Sequence, residues 1–117
     1  MIKNFYNMPP TLQANCHDGE GTIRITDIFK GENIATGIQF LHYTVLPPGT
    51  SIGYHQHGNN EEFYIILAGT GEMEMDGTTT PVGPGAVVKN KPYGSHGLKN
   101  TAPDTDLEIL VFEITLG

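Results

Sequence analysis

Residues 49–69 read GTSIGYHQHGNNEEFYIILAG, and the reading of this stretch decides the fold. Ser51–His57 and Glu62–Ala68 have the composition of short strands, separated by Gly58-Asn59-Asn60, residues that favour a turn. His55 and His57 stand two apart, so on a strand both rings point to one face. Glu62 opens the following strand, where the intervening turn folds its carboxylate back toward the imidazoles. Gly69-Thr70-Gly71 then reads as a tight hairpin into Glu72–Asp76, in which Met73 and Met75 alternate with Glu72 and Glu74. Asp76-Gly77 is a strong turn signal.

Outward from this stretch the same pattern recurs every ten or so residues. Thr22–Phe29 and Ile38–Leu46 precede it, the second stopped by Pro47-Pro48-Gly49. Ala86–Asn90, Ser95–Asn100 and Asp106–Thr115 follow it. Eight strands without a convincing helix predict an all-β domain spanning 1–117, built as a double-sheet jelly roll or small barrel. Fifteen glycines and eight prolines, about a fifth of 117 residues, agree, since these are the two poorest helix formers. The last strand is apolar on both faces, with Leu107, Ile109 and Val111 on one and Leu110, Phe112 and Ile114 on the other. One face would fill the barrel. The other needs a cover, either the N-terminal segment or a second subunit, and a homodimer is expected.

Charge excludes some partners. Six basic against thirteen acidic residues give a formal charge of −7, which repels nucleic acid and anionic membrane alike. The longest apolar run, Phe63–Ala68, is far short of a membrane span, and Met1–Pro10 has no apolar stretch of signal-peptide length. A cytoplasmic location is the default reading. The single cysteine, Cys16, forms no intrachain disulfide and reads as a small packed residue rather than a nucleophile.

Four residues point to metal chemistry. His55 and His57 form a near pair, Glu62 is expected across the hairpin, and His96 lies on a strand about forty residues later. Close ligands fix such a site and the distant one closes it. Taken alone, His55-Gln56-His57 also fits a surface pair, and Glu62 a solvated partner of Glu61. The spacing around them is more specific. Gly49, five residues, His55, one residue, His57, four residues, Glu62, six residues, Gly69 closely resembles the first motif of the cupin family. Gly85…Pro92-Tyr93-Gly94-Ser95-His96, three residues, Asn100 resembles the second, and fifteen residues separate Gly69 from Gly85, as in small bacterial single-domain cupins. One departure stands out. Only Ser95 separates Gly94 from His96 where the family pattern has two residues, while the Gly85–His96 separation is kept, so the turn has slid by one.

The resemblance implies a cupin fold, a double-stranded β-helix with motif 1 at 49–69 and motif 2 at 85–100. It also implies that His55, His57, Glu62 and His96 act as metal ligands. Three imidazoles and a carboxylate suit a divalent Mn, Fe, Ni, Co, Cu or Zn ion and leave positions open. Glu61 should face solvent, Tyr64 and Ile66 should follow Glu62 inward, and Leu98 and Asn100 should follow His96. His42, on the strand leading into motif 1, fits a structural histidine or a pocket acid/base equally well. His17 reads as an exposed loop residue. With Arg24 the one arginine and lysines concentrated at 89, 91 and 99, a neutral or metal-anchored small ligand is favoured over a phosphosugar. The functional expectation is a metal-dependent enzyme acting on a small oxygen-bearing metabolite. Its reaction stays open among dioxygenase, isomerase, decarboxylase and cyclase types. The alternatives are a non-catalytic binding protein in which the ion anchors ligand or stiffens the barrel, and a scaffold without metal.

Overall fold

The computed structural model describes residues 1–115. Ten strands run in the order β1 (Thr11–Ala14), β2 (Thr22–Lys30), β3 (Ile38–Leu46), β4 (Ser51–Gln56), β5 (Asn60–Ala68), β6 (Gly71–Met75), β7 (Thr78–Val82), β8 (Val87–Asn90), β9 (Ser95–Asn100) and β10 (Leu107–Thr115). They form a six-stranded sheet, β1-β2-β3-β10-β5-β8, and a four-stranded sheet, β4-β9-β6-β7, every pairing antiparallel. The expected all-β, double-sheet barrel is therefore the observed fold.

Two strands exceed the eight expected, and both are edges. β1 is only four residues long and exposed throughout, and β7 is a threonine run carrying Pro81, so neither has the pattern of a half-buried strand. Three single-turn 3-10 segments also occur, at Phe5–Asn7, Cys16–Asp18 and Gly31–Asn33. Two expected hairpins are corrected. β4 pairs with β9 and β5 with β10 and β8, so Gly58-Asn59-Asn60 carries the chain from one sheet to the other. Gly69-Thr70-Gly71 likewise crosses between sheets. There Gly69 has φ +83° and a β-carbon on it would lie 2.2 Å from the Asp106 carbonyl oxygen, a position only glycine fits. Asp76-Gly77 does close a two-residue hairpin, with both residues at positive φ.

The inner faces of the two sheets make the core. Ile23, Leu46, Ile66, Met73, Leu98, Leu107 and Ile109 are all buried to within 1% of full exclusion from water. Alternation along β10 sends Leu107, Ile109 and Val111 inward as expected. Its outer side chains meet a second apolar cluster, which the N-terminal segment covers in part. Phe5 packs on Tyr43 at 4.4 Å, and Lys3 lies 4.5 Å over Phe29 while donating to the Ile28 carbonyl. Beyond that cover an apolar groove of about 520 Å³ stays open between Phe29, Ile34, Ile38, Leu41 and Phe112.

Candidate metal centre

A cavity of about 400 Å³ enters the barrel between the two sheets. Its apolar wall includes Ile23, Ile25, Ile52 and Val111, and no lysine or arginine lines it among the described residues. His55, His57, Glu62 and His96 meet at this place, His55 and His57 from the end of β4, Glu62 from β5 and His96 from β9.

A bulge makes the meeting possible. Ile52 pairs with Leu98 but His55 pairs with His96, so three steps on β4 match two on β9. Both Ile52 and His55 therefore face inward, which strict alternation forbids. Gly53 stands in the bulge, and its carbonyl accepts a hydrogen bond from His55 Nδ1 at 2.7 Å. The slid turn of the second motif has a counterpart too. The left-handed residue there is Tyr93, with φ +61°, and not Gly94. Tyr93 N–H donates to the Gly58 carbonyl and Gln56 Nε2 to the Tyr93 carbonyl, tying both motifs together and leaving His96 in register.

The protons on these rings can be assigned from their partners. A carbonyl only accepts, so His55 carries its proton on Nδ1 and turns a bare Nε2 inward. His57 Nδ1 faces Asn60 Oδ1 at 2.6 Å and Glu113 Oε1 at 3.7 Å, both acceptors, so on the neutral ring its Nε2 is bare as well. Those two Nε2 atoms lie 3.2 Å apart. Glu62 Oε1 is 3.3 Å from His57 Nε2 and 3.4 Å from His96 Nε2. His96 is 1% exposed, and neither ring nitrogen has a hydrogen-bond partner.

Lone pairs aimed at lone pairs repel unless a positive charge lies between them. Metal–nitrogen bonds of about 2.1 Å set neighbouring ligand atoms roughly 3.0–3.4 Å apart, the spacing found here. The group could hold a metal ion. Electrostatics in the protein alone agree. Glu62 accepts a hydrogen bond from His57 Nε2 when that ring is protonated, which raises the proton affinity of His57, so the carboxylate draws positive charge to this point. Burial, with the neighbouring His55 and His57, lowers His96 to about 3, keeping it neutral. Burial, and next the Glu62 charge, raises the phenol of Tyr64, which also hydrogen-bonds Glu62.

The other expectations divide. Tyr64, Ile66, Leu98 and Asn100 are buried, and Glu61 faces away, 3.7 Å from Lys89. Asn100 holds the Leu46 and Thr105 carbonyls and has a structural task. His42 lines the cavity, stacks on Phe40 at 4.0 Å and pairs through Nε2 with Asp27 Oδ1. Burial lowers its proton affinity against the opposing pull of Asp27. Cys16 is buried as expected, and burial raises its thiol pKa. His17 is exposed as expected, and in addition it lines the cavity and stacks on His55. Sequence reasoning missed Asn60, Glu113 and Asp27. A signal existed for two of them, since Glu113 continues the inward parity of Leu107, Ile109 and Val111, and Asp27 that of Ile23 and Ile25.

The model of the Cupin domain matches residues 42–113. An oxalate-binding protein of Thermotoga maritima is 30% identical over 116 residues, covering 99% of this chain and 95% of that one. The crystal structure described as a predicted oxalate decarboxylase of Thermotoga maritima superposes with a TM-score of 0.95 at 29% identity, covering 99% of this chain and all of the other. A Cupin 2 conserved barrel domain protein of Salinispora arenicola shares the fold, with a TM-score of 0.77 at 21% identity over 97% of this chain and 87% of its own.

Proposed function

The chain belongs to the cupin family, and on that premise we propose a divalent metal centre that binds and transforms a small carboxylate of the oxalate type. The observation that carries this reading is the convergence of the His55 and His57 Nε2 atoms with His96 Nε2 and Glu62 Oε1 in a cavity without a cationic side chain. Such a cavity repels an anion until an ion is bound. His55, His57, Glu62 and His96 would hold the ion, which supplies a Lewis acid and an anchoring point for carboxylate oxygens. The names of the two Thermotoga maritima proteins support an oxalate-like ligand.

The chain's own residues would do the rest. The apolar wall of Ile23, Ile25, Ile52 and Val111 limits water around the ligand. Asp27 accepts from His42 Nε2, which leaves Nδ1 as the nitrogen that takes or gives a proton. Loaded with manganese or another divalent ion, the protein should cleave the C–C bond of oxalate, one carbon leaving as carbon dioxide and the other keeping the electron pair, taking a proton and leaving as formate. His42→Asn should lower kcat by about 100-fold with metal content unchanged, within the usual range for a general acid or base. Tight oxalate binding with no product formed would favour the second reading, a binding protein, to which the name of the curated relative lends support. Absence of both binding and turnover in the loaded protein would overturn the carboxylate assignment.

We further propose that the open groove at Phe29, Ile38, Leu41 and Phe112 is covered by a second copy of the chain, in a cytoplasmic homodimer. Light scattering at micromolar concentration should return twice the 12.7 kDa chain mass, and a monomer mass alone would refute it. None of the helices among the described residues is long and apolar enough to cross a membrane.

A further inference from the structure

We propose that His17 is a ligand-contacting residue of this cavity, supplying a hydrogen bond to the small carboxylate from a segment that precedes the matched family region; this rests on the carboxylate reading above. The residue lies in the single turn at Cys16–Asp18, well before position 42, where the family match begins. Its ring is parallel to that of His55, with centroids 3.6 Å apart and planes at 9°. It therefore sits beside the proposed ligand set. Among the described residues, no hydrogen bond or ion pair engages either of its ring nitrogens, although its ring lines the cavity.

The backbone that carries it is held at some cost. Asn15, His17 and Asp18 all have positive φ, at 51°, 50° and 62°. Conformations of this kind in non-glycine residues persist only where their surroundings over-determine them. Here they do. Buried Cys16 anchors the turn in the core, Gly19 N–H donates to the Cys16 carbonyl, and Asn15 Nδ2 donates to the Gly19 carbonyl. The turn also lies directly on the bulge of β4, since a β-carbon on Gly53 would come within 2.0 Å of the His17 carbonyl oxygen. An exposed histidine without polar partners gives no structural return for this arrangement. A ring with two free nitrogens, fixed in the cavity beside His55, does so once a ligand with carboxylate oxygens arrives.

The test uses cobalt(II)-loaded protein, whose visible absorption reports the metal environment, titrated with oxalate. His17→Gly removes the ring and is at ease at φ 50°, whereas His17→Asn keeps an amide donor and tolerates the left-handed region. Cobalt affinity should stay within about threefold of wild type in both, because the four proposed ligands are untouched. Oxalate affinity of the loaded His17→Gly protein should fall by about 10-fold or more, the loss expected for a hydrogen bond to a charged group, with a smaller loss in His17→Asn. Wild-type oxalate affinity in loaded His17→Gly would overturn the proposal. So would a fall in cobalt affinity with oxalate binding to the loaded protein unchanged, which would make His17 a brace for His55. If loaded wild type itself ignores oxalate, the carboxylate reading fails, and this inference with it.

Discussion

His96→Ala protein, purified without an affinity tag, should carry almost no divalent metal by elemental analysis, with its affinity reduced more than about 100-fold. Loss of a ligand's outer hydrogen-bond partner alone costs 10- to 100-fold, and here the ligand itself goes. His57→Ala should behave alike, because it removes the nitrogen closest to both His55 Nε2 and Glu62 Oε1. The two variants should differ when metal-free. His96 is fully buried with two orphaned nitrogens, so its removal relieves an unsatisfied polar group while leaving a void. These effects oppose, and the apo stability of His96→Ala should stay within about 2 kcal/mol of wild type. Full metal retention in both variants would refute the ligand assignment.

The second large effect is thermal. Without an ion, the centre forces acceptor against acceptor; with one, those contacts become bonds. At a free metal concentration near 1,000 times Kd, binding stabilises the native state by about 4 kcal/mol, which for a chain of this size raises Tm by about 15 °C. Scanning calorimetry before and after exhaustive chelation checks this, and His96→Ala should show no shift. The effect should weaken on acidification. Glu62 raises the proton affinity of His57, so its imidazole becomes protonated as pH falls through that raised value, and protons then compete with the metal. An identical Tm with and without metal at neutral pH would refute the prediction.

The proposed ligand set was legible because spacing alone encodes it, and the motif residues do converge. The route by which they converge was not. Counting alternate residues from the inward Ile52 would turn His55 and His57 outward, and only the two-for-three match against β9 reverses them. A bulge leaves no mark in composition beyond one glycine among fifteen. The outer partners were hidden for another reason. Glu113 reaches His57 from a strand over fifty residues away, so its parity was readable but its partner was not, while Asn60, three residues from His57, read only as part of a turn. His17 carried no signal at all, since a left-handed turn built from asparagine, histidine and aspartate has the composition of an ordinary loop.

β10 comes last in sequence among the described strands, yet it occupies an interior place in the larger sheet, between β3 and β5. Until it inserts, β1-β2-β3 and β5-β8 are two separate ribbons, each with an unpaired inner edge. On a ribosome these edges stay open until residues 107–115 have been made. Closing the sheet then demands pairing between residues as distant as Ile38 and Ile114, a topology that folds slowly because loop entropy is lost before pairing compensates. The same arrangement makes the finished barrel hard to open piecemeal: peeling away β10 would undo both ribbons at once, so exchange of its amide protons should track global unfolding.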